Sequence, residues 1–217
     1  MKINTPICKQ PVVAIDLEAT GIEFGYHEIT EISMILLDEY FNPIPNKYIS
    51  ILLKIEHPGR YKEETQNLTG ISVEDLELFG LDWTDAYCEL RNWIDSVSET
   101  RSIIPLAHNY DAFDQRFLRE FFNRNSKDGQ DRFSSIFSRL CIDLKHVVKT
   151  YNNLIDFHYK DHMNDKFEQY NLSYICKKLN IQHKNKHRSL YDAKVTAQAY
   201  KRVIELIIDL KENRYVG

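Results

Sequence analysis

Asp16 and Glu18 stand two residues apart at the end of an apolar segment, Val12 to Glu18. In an extended strand, side chains two apart share a face, with Cα atoms about 6.7 Å from each other. Both carboxylates can therefore converge on one cation, while Ile15 and Leu17 point into a core. Carboxylate oxygens suit magnesium and manganese, and a divalent ion offsets the cost of holding charge beside a buried strand. A strand end that surfaces in solvent would carry the same two residues, and the pair alone does not choose between these readings. Asp114 is more informative. Phe117, Leu118 and Phe121 follow it at helical spacing, so the carboxylate lies on the stripe that faces the core. Asp192 repeats the pattern with Val195, Ala199 and Val203. Each aspartate would also sit in a first turn, where the helix dipole contributes roughly 0.3–1 kcal/mol. That is less than the cost of full burial, which is several kcal/mol for a charge. His187, five residues before Asp192, can take a proton near neutral pH if it lies beside such an acidic site. One histidine among eight is otherwise an ordinary surface residue.

The elements that must position these groups follow from the apolar pattern. Val12–Glu18, 29–37 and 48–55 read as strands, the first covered on both sides. Asn42–Asn46 reads as a turn, and its short span favours antiparallel neighbours. Leu68–Ile71 reads as a turn into a short helix near 74–78. A helix is expected over 84–97, a fourth strand over 103–107, a helix over 111–122 and a short fifth strand over 141–143. A helix follows to about Tyr151, then a short one from Leu172 to Leu179. His183–Arg188 is a basic loop, and Ser189 reads as the N-cap of a long helix to about Glu212. Strands first, then strands alternating with helices, argue for a mixed sheet with helices packed on it.

The chain has 217 residues and no long Pro/Gly/Ser tract, so one domain over 1–217 is expected, with its core at about 10–210. Polar stretches at 123–138 and 152–170 read as insertions. Hydrophobic residues make up 43% and charged ones 28%, which excludes disordered and fibrous classes. A net charge of -4 excludes an indiscriminate polyanion binder. Cys8, Cys88, Cys141 and Cys176 form no CxxC pair, so neither a zinc site nor a disulfide scaffold is suggested. No apolar run approaches a membrane span and no leader signal opens the chain. The expectation is a soluble cytoplasmic protein that makes no use of a membrane.

Three segments resemble one family. Val13-Ala14-Ile15-Asp16-Leu17-Glu18-Ala19-Thr20-Gly21 resembles the first exonuclease motif of the DEDD superfamily, which includes polymerase proofreading subunits, oligoribonuclease and ribonuclease T-like enzymes. Ala107-His108-Asn109-Tyr110-Asp111-Ala112-Phe113-Asp114-Gln115-Arg116-Phe117-Leu118 resembles the second. His187-Arg188-Ser189-Leu190-Tyr191-Asp192-Ala193 resembles the third in its histidine version, which marks the DEDDh branch. Glu31-Ile32-Ser33 and Leu68-Thr69-Gly70-Ile71 are weaker likenesses. Ala19 and Tyr191 depart from the commoner residues, but neither position is a metal ligand in the family pattern.

The resemblance implies a ribonuclease H-like fold, a mixed five-stranded sheet with helices on both faces. It implies 3'→5' exonuclease action on single-stranded DNA or RNA ends, releasing nucleoside 5'-monophosphates. Two divalent ions, Mg2+ or Mn2+, about 3.5–4 Å apart, would be held by Asp16, Glu18, Asp114 and Asp192, with His187 taking the proton of the attacking water. Backbone groups of Leu17, Ala19 and Thr20, with Asn109 and Phe113, would meet the terminal sugar and base. By their placement, Lys184, Lys186 and Arg188 flank His187, and Arg116 and Arg119 follow Asp114; these charges either hold backbone phosphates or simply solvate a loop and a helix. Homodimers and polymerase or repair partners occur in parts of the family, and the sequence selects none. The alternative is a catalytically inactive nucleic-acid or protein-binding module on the same fold. Such modules usually lose a carboxylate, and all four remain here.

Overall fold

Val12–Ala19 (β1) is the centre of a five-stranded sheet in the order β3-β2-β1-β4-β5. The structure, a computed structural model, describes residues 10–124 and 130–213. Cys8, most of the N-terminal segment considered for a leader, and positions 125–129 of the first polar stretch lie outside these residues. Ile29–Leu37 (β2) pairs antiparallel with β1, and Pro43–Leu52 (β3) pairs antiparallel with β2. Three helices follow: Glu63–Thr69 (α1), Val73–Phe79 (α2) and Trp83–Val97 (α3). Ile104–Ala107 (β4) then returns parallel to β1. Asp114–Arg124 (α4) and Arg132–Ile136 (α5) precede Ile142–Asp143 (β5), which is parallel to β4. Leu144–His158 (α6), Leu172–Lys178 (α7) and Ser189–Asn213 (α8) complete the order.

The period of two in β1 divides the molecule. Val13, Ile15 and Leu17 pack in one cluster with Leu90 of α3 and Phe117, Phe121 and Phe122 of α4. Ala14 and Ile35 pack on the opposite face with Val148 of α6 and Ala197 and Val203 of α8. Both faces of the sheet are thus covered by helices, as the strand composition requires. The abundant phenylalanines mostly fill this core: Phe121, Phe122, Phe133 and Phe137 meet at ring-centroid distances of 4.7–5.2 Å.

Several boundaries differ from the sequence expectations. Pro43–Asn46 is already strand, and the turn lies before it. Asp38 Oδ1 accepts the backbone N–H groups of Tyr40 and Asn42, both at 2.8 Å, and Phe41 adopts φ 61. Proline is tolerated there because β3 is an edge strand, where the N–H positions that face away from β2 take no part in the ladder. The second polar stretch carries helical structure. α6 continues to His158, a 3-10 segment covers Lys160–Asp165, and buried Asn152 clasps the returning chain. Its amide donates to the Phe167 carbonyl at 2.8 Å, and its carbonyl accepts the Phe167 N–H at 2.9 Å. In the first polar stretch, Asp131 caps the short α5. No helix among the described residues is long and apolar enough to cross a membrane.

Candidate functional site

Asp16 and Glu18 share the β1 face that meets α8, opposite Ser33 and Glu31 of β2 in the antiparallel register. Like charges directly opposed across strands repel, so Glu31 needs neutralising. It is 1% exposed. Arg188 Nη2 donates to Glu31 Oε1 at 2.8 Å, and the backbone N–H of Ser189 donates to Oε2 at 2.8 Å. Glu31 therefore anchors the start of α8. Ser189 is the first residue of that helix and not the expected N-cap; its hydroxyl lies 2.6 Å from the hydroxyl of Ser33. Replacing Glu31 with Ala strands a buried N–H and an arginine. Allowing for the repulsion relieved, the expected net loss is about 1–2 kcal/mol, or a melting temperature lower by about 2–8 °C. Calorimetry reads the loss, and amide exchange at 189–191 locates it.

Asp114 opens α4 after a 3-10 turn, Tyr110–Ala112, and is 2% exposed. The approach is set by Asn109, which adopts a left-handed conformation at φ 65. Its N–H donates to Asp143 at 3.0 Å, and its side-chain oxygen accepts from Lys145 Nζ at 2.9 Å. Asp114 Oδ1 is buried with no hydrogen-bond partner among the described residues. Burial pushes the carboxyl up to about 8, although the backbone N–H of Leu17 favours its ionised form.

Asp192 lies in the first turn of α8 and is 7% exposed. His183 and the backbone N–H of His187 both contact it, at 2.5 and 3.1 Å. His187 itself has φ 60, a left-handed turn that aims the loop back at the sheet. Burial raises Asp16 well above the usual carboxylate range, and Asp114, Glu18, Asp192 and Glu31 add to this in that order. Burial likewise raises Glu18 to about 8, reinforced by Asp192, Glu31 and Asp114 and opposed by Arg188. Side chains from four separated stretches thus form one mutually repelling group, with Asp16 feeling all the others.

Such a group fits a divalent cation. Glu18, His187 and Asp192 bring ligand atoms within 4.8 Å of one another, as do Glu28, Glu56 and His57 elsewhere. The oxygen-rich donor set suits Mg2+ or Mn2+. The first cluster adjoins Asp16, which the other acids repel, and Asp114, whose Oδ1 is orphaned. In the second, Glu28 already accepts the N–H groups of Glu56 and His57 and contacts the His57 ring, and Glu56 pairs with Arg124.

The remaining candidate residues are placed less uniformly. Leu17 and Ala19 are buried, so only their backbone can meet a ligand. Thr20 is 1% exposed; its hydroxyl accepts from the N–H of Glu28. Phe113 is partly buried against Phe117, with ring centroids 4.9 Å apart. Lys186 and Lys184 are exposed on the loop. Arg188 is engaged by Glu31, and Arg119 is turned to Asp131 and Phe133. Sequence reasoning assigned no role to Glu31 or His183. A glutamate inside a largely apolar strand was the signal for the first, while the second becomes visible only when the loop folds back on α8.

A family model described as RNase_T, Exonuclease, matches residues 13–200. A curated relative, the 3'-5' DNA exonuclease Cap18 of Escherichia coli, is 28% identical over 116 residues, covering 53% of this chain and 58% of the relative. Among solved structures, the zinc-bound E. coli exonuclease I complex with single-stranded DNA aligns with a TM-score of 0.72 and 19% identity, over 95% of this chain and 43% of that one. Exonuclease I from Methylocaldum szegediense aligns with a TM-score of 0.71 and 17% identity, over 93% and 42%. The chain spans a little over half the length of the curated relative and less than half of these solved chains.

Proposed function

This chain belongs to the RNase_T exonuclease family, with the histidine form of the third motif, and from that premise we propose that it removes nucleotides one at a time from single-stranded 3' ends of DNA or RNA, releasing nucleoside 5'-monophosphates. The observation that carries the reading is the buried, partnerless Asp114 oxygen within a group of carboxylates that raise one another's proton affinity. The polarity and the DNA substrate are those named for the Cap18 relative, and single strands are those named for the exonuclease I complex.

When bound, divalent cations supply positive charge where negative charge gathers on the phosphate oxygens in the transition state. Asp16, Glu18, Asp114 and Asp192 would hold the cations, with Asp16 central among the acids. His187, beside Glu18 and Asp192, takes the proton of the attacking water. Backbone groups of Leu17, Ala19 and Thr20, with Asn109 and Phe113, line the approach to the terminal nucleotide. Lys186 and Arg188 meet backbone phosphates.

Matched DNA and RNA oligonucleotides, labelled at either end and incubated with Mg2+ or Mn2+, test this. The 3' label leaves as a mononucleotide from the first time point, while the 5' label descends as a ladder of single-nucleotide steps. Internal fragments, or no cleavage of any substrate with either metal, would overturn the reading.

A further inference from the structure

We infer that His183 is a positioning residue, which sets the carboxylate of Asp192 to receive a divalent cation and ties down the loop that carries His187. The inference rests on the cation-dependent reading of the site given above. The His183 side chain is 6% exposed, and its Nε2–H donates to Asp192 Oδ1 at 2.5 Å. Asp192 Oδ2 accepts the backbone N–H of His187 at 3.1 Å. Both carboxylate oxygens are thus held by donors from one loop, which fixes the carboxylate plane. Each oxygen keeps a further lone pair on a group whose ligand atoms lie within 4.8 Å of those of Glu18 and His187.

The other ring nitrogen, Nδ1, is buried with no partner among the described residues. A proton there would strand a donor, so the satisfied tautomer carries its proton on Nε2. An unpartnered buried polar atom costs about 1–3 kcal/mol, a penalty that an apolar side chain of the same size would avoid. Space-filling does not account for a histidine here, whereas holding Asp192 does. A carboxylate that ligates a cation depends on such outer partners for its orientation.

Calorimetric titration with Mn2+ tests this on the full chain. His183→Leu is expected to weaken Mn2+ binding about 10–100-fold. His183→Gln, whose terminal amide can still donate to Asp192, should stay within about threefold of wild type. His183→Asn, whose amide falls short of Asp192, is a second loss variant that keeps the test open if the leucine protein fails to fold. Wild-type affinity in the folded loss variants would overturn the inference. So would equal weakening in the Gln and Asn proteins, or no Mn2+ binding by the wild type. A wild type that binds Mn2+ but cleaves nothing would sink the nuclease reading and leave His183 in place. Normal cleavage together with normal Mn2+ binding by the leucine protein would do the reverse.

Discussion

Asp114→Asn is expected to melt higher than the wild type in chelating buffer at pH 8 and to hydrolyse at least ~10³-fold more slowly with Mg2+. Both effects come from one atom. Asp114 Oδ1 is buried and unpartnered, and burial raises the carboxyl to about 8. Without a cation, the folded chain must either keep a proton there or hold an uncompensated charge. Asparagine removes that choice, and its amide can donate towards Asp16, whose charge interacts with that of Asp114. Each kcal/mol recovered is worth roughly 2–4 °C in a chain of this size. With metal present the balance reverses, because an amide is a poor ligand and carries no charge. Cation stabilisation of a transition state is worth several kcal/mol, and about 4 kcal/mol is about 10³ in rate. Thermal melting and a 3'-labelled oligonucleotide assay on one preparation read both arms. An Asn protein that melts lower in chelator would mean that the carboxylate is stabilised by something other than a missing cation. One that cleaves at the wild-type rate would remove Asp114 from the machinery.

How much of this was legible in the sequence depended on whether the signal was periodic. The period of two in β1 placed Asp16 and Glu18 on one face. The helical spacing of Phe117, Leu118 and Phe121 placed Asp114 towards the core, and the structure agrees on both points. α1 was missed because Glu63–Thr69 buries only Thr69 and shows no apolar stripe. Its visible trace was Gly70, which ends it with φ 67, and which had been read simply as a turn. The start of β3 was misread because Pro43 and Pro45 look like turn residues wherever they stand, and only the sheet order reveals an edge. α6 outran its expected end because Asn152, polar by type, is a buried clasp, while Ile155 continues the apolar stripe. Within the site, the carboxylates were legible because a charge on an apolar stripe conflicts with its neighbours. Glu31, which anchors the start of α8, and His183, which holds Asp192, act across 158 and 9 residues of separation; the local pattern marks Glu31 as out of place but encodes neither partner.

The second large effect is a stability curve that falls with pH where most proteins are level. Glu18 and Asp114 ionise near their ordinary values in the unfolded chain, but only at about 8 in the folded one, and Asp16 moves in the same direction. Between about pH 4.5 and pH 8 the folded state therefore binds more protons than the unfolded state. Stability must fall as pH rises through that window and level off above it. Each retained proton contributes at most about 1.4 kcal/mol per pH unit. The carboxyls held low, Asp38, Asp75 and Asp131, act in the opposite sense, but only at more acid pH, so they do not mask the trend. A divalent cation must displace the protons to bind. Mn2+ is accordingly expected to stabilise the fold far more at pH 8, where a hundredfold excess over the dissociation constant gives about 2.7 kcal/mol, than the same concentration does at pH 5.5. Melting curves from pH 5.5 to 8.5, in chelator and in Mn2+, measure this. Asp114→Asn serves as the control, since removing one shifted carboxyl should flatten the slope in chelator. If the wild type in chelator is as stable at pH 8 as at pH 5.5, the carboxylates do not crowd one another, and the physical reason for placing cations among them disappears.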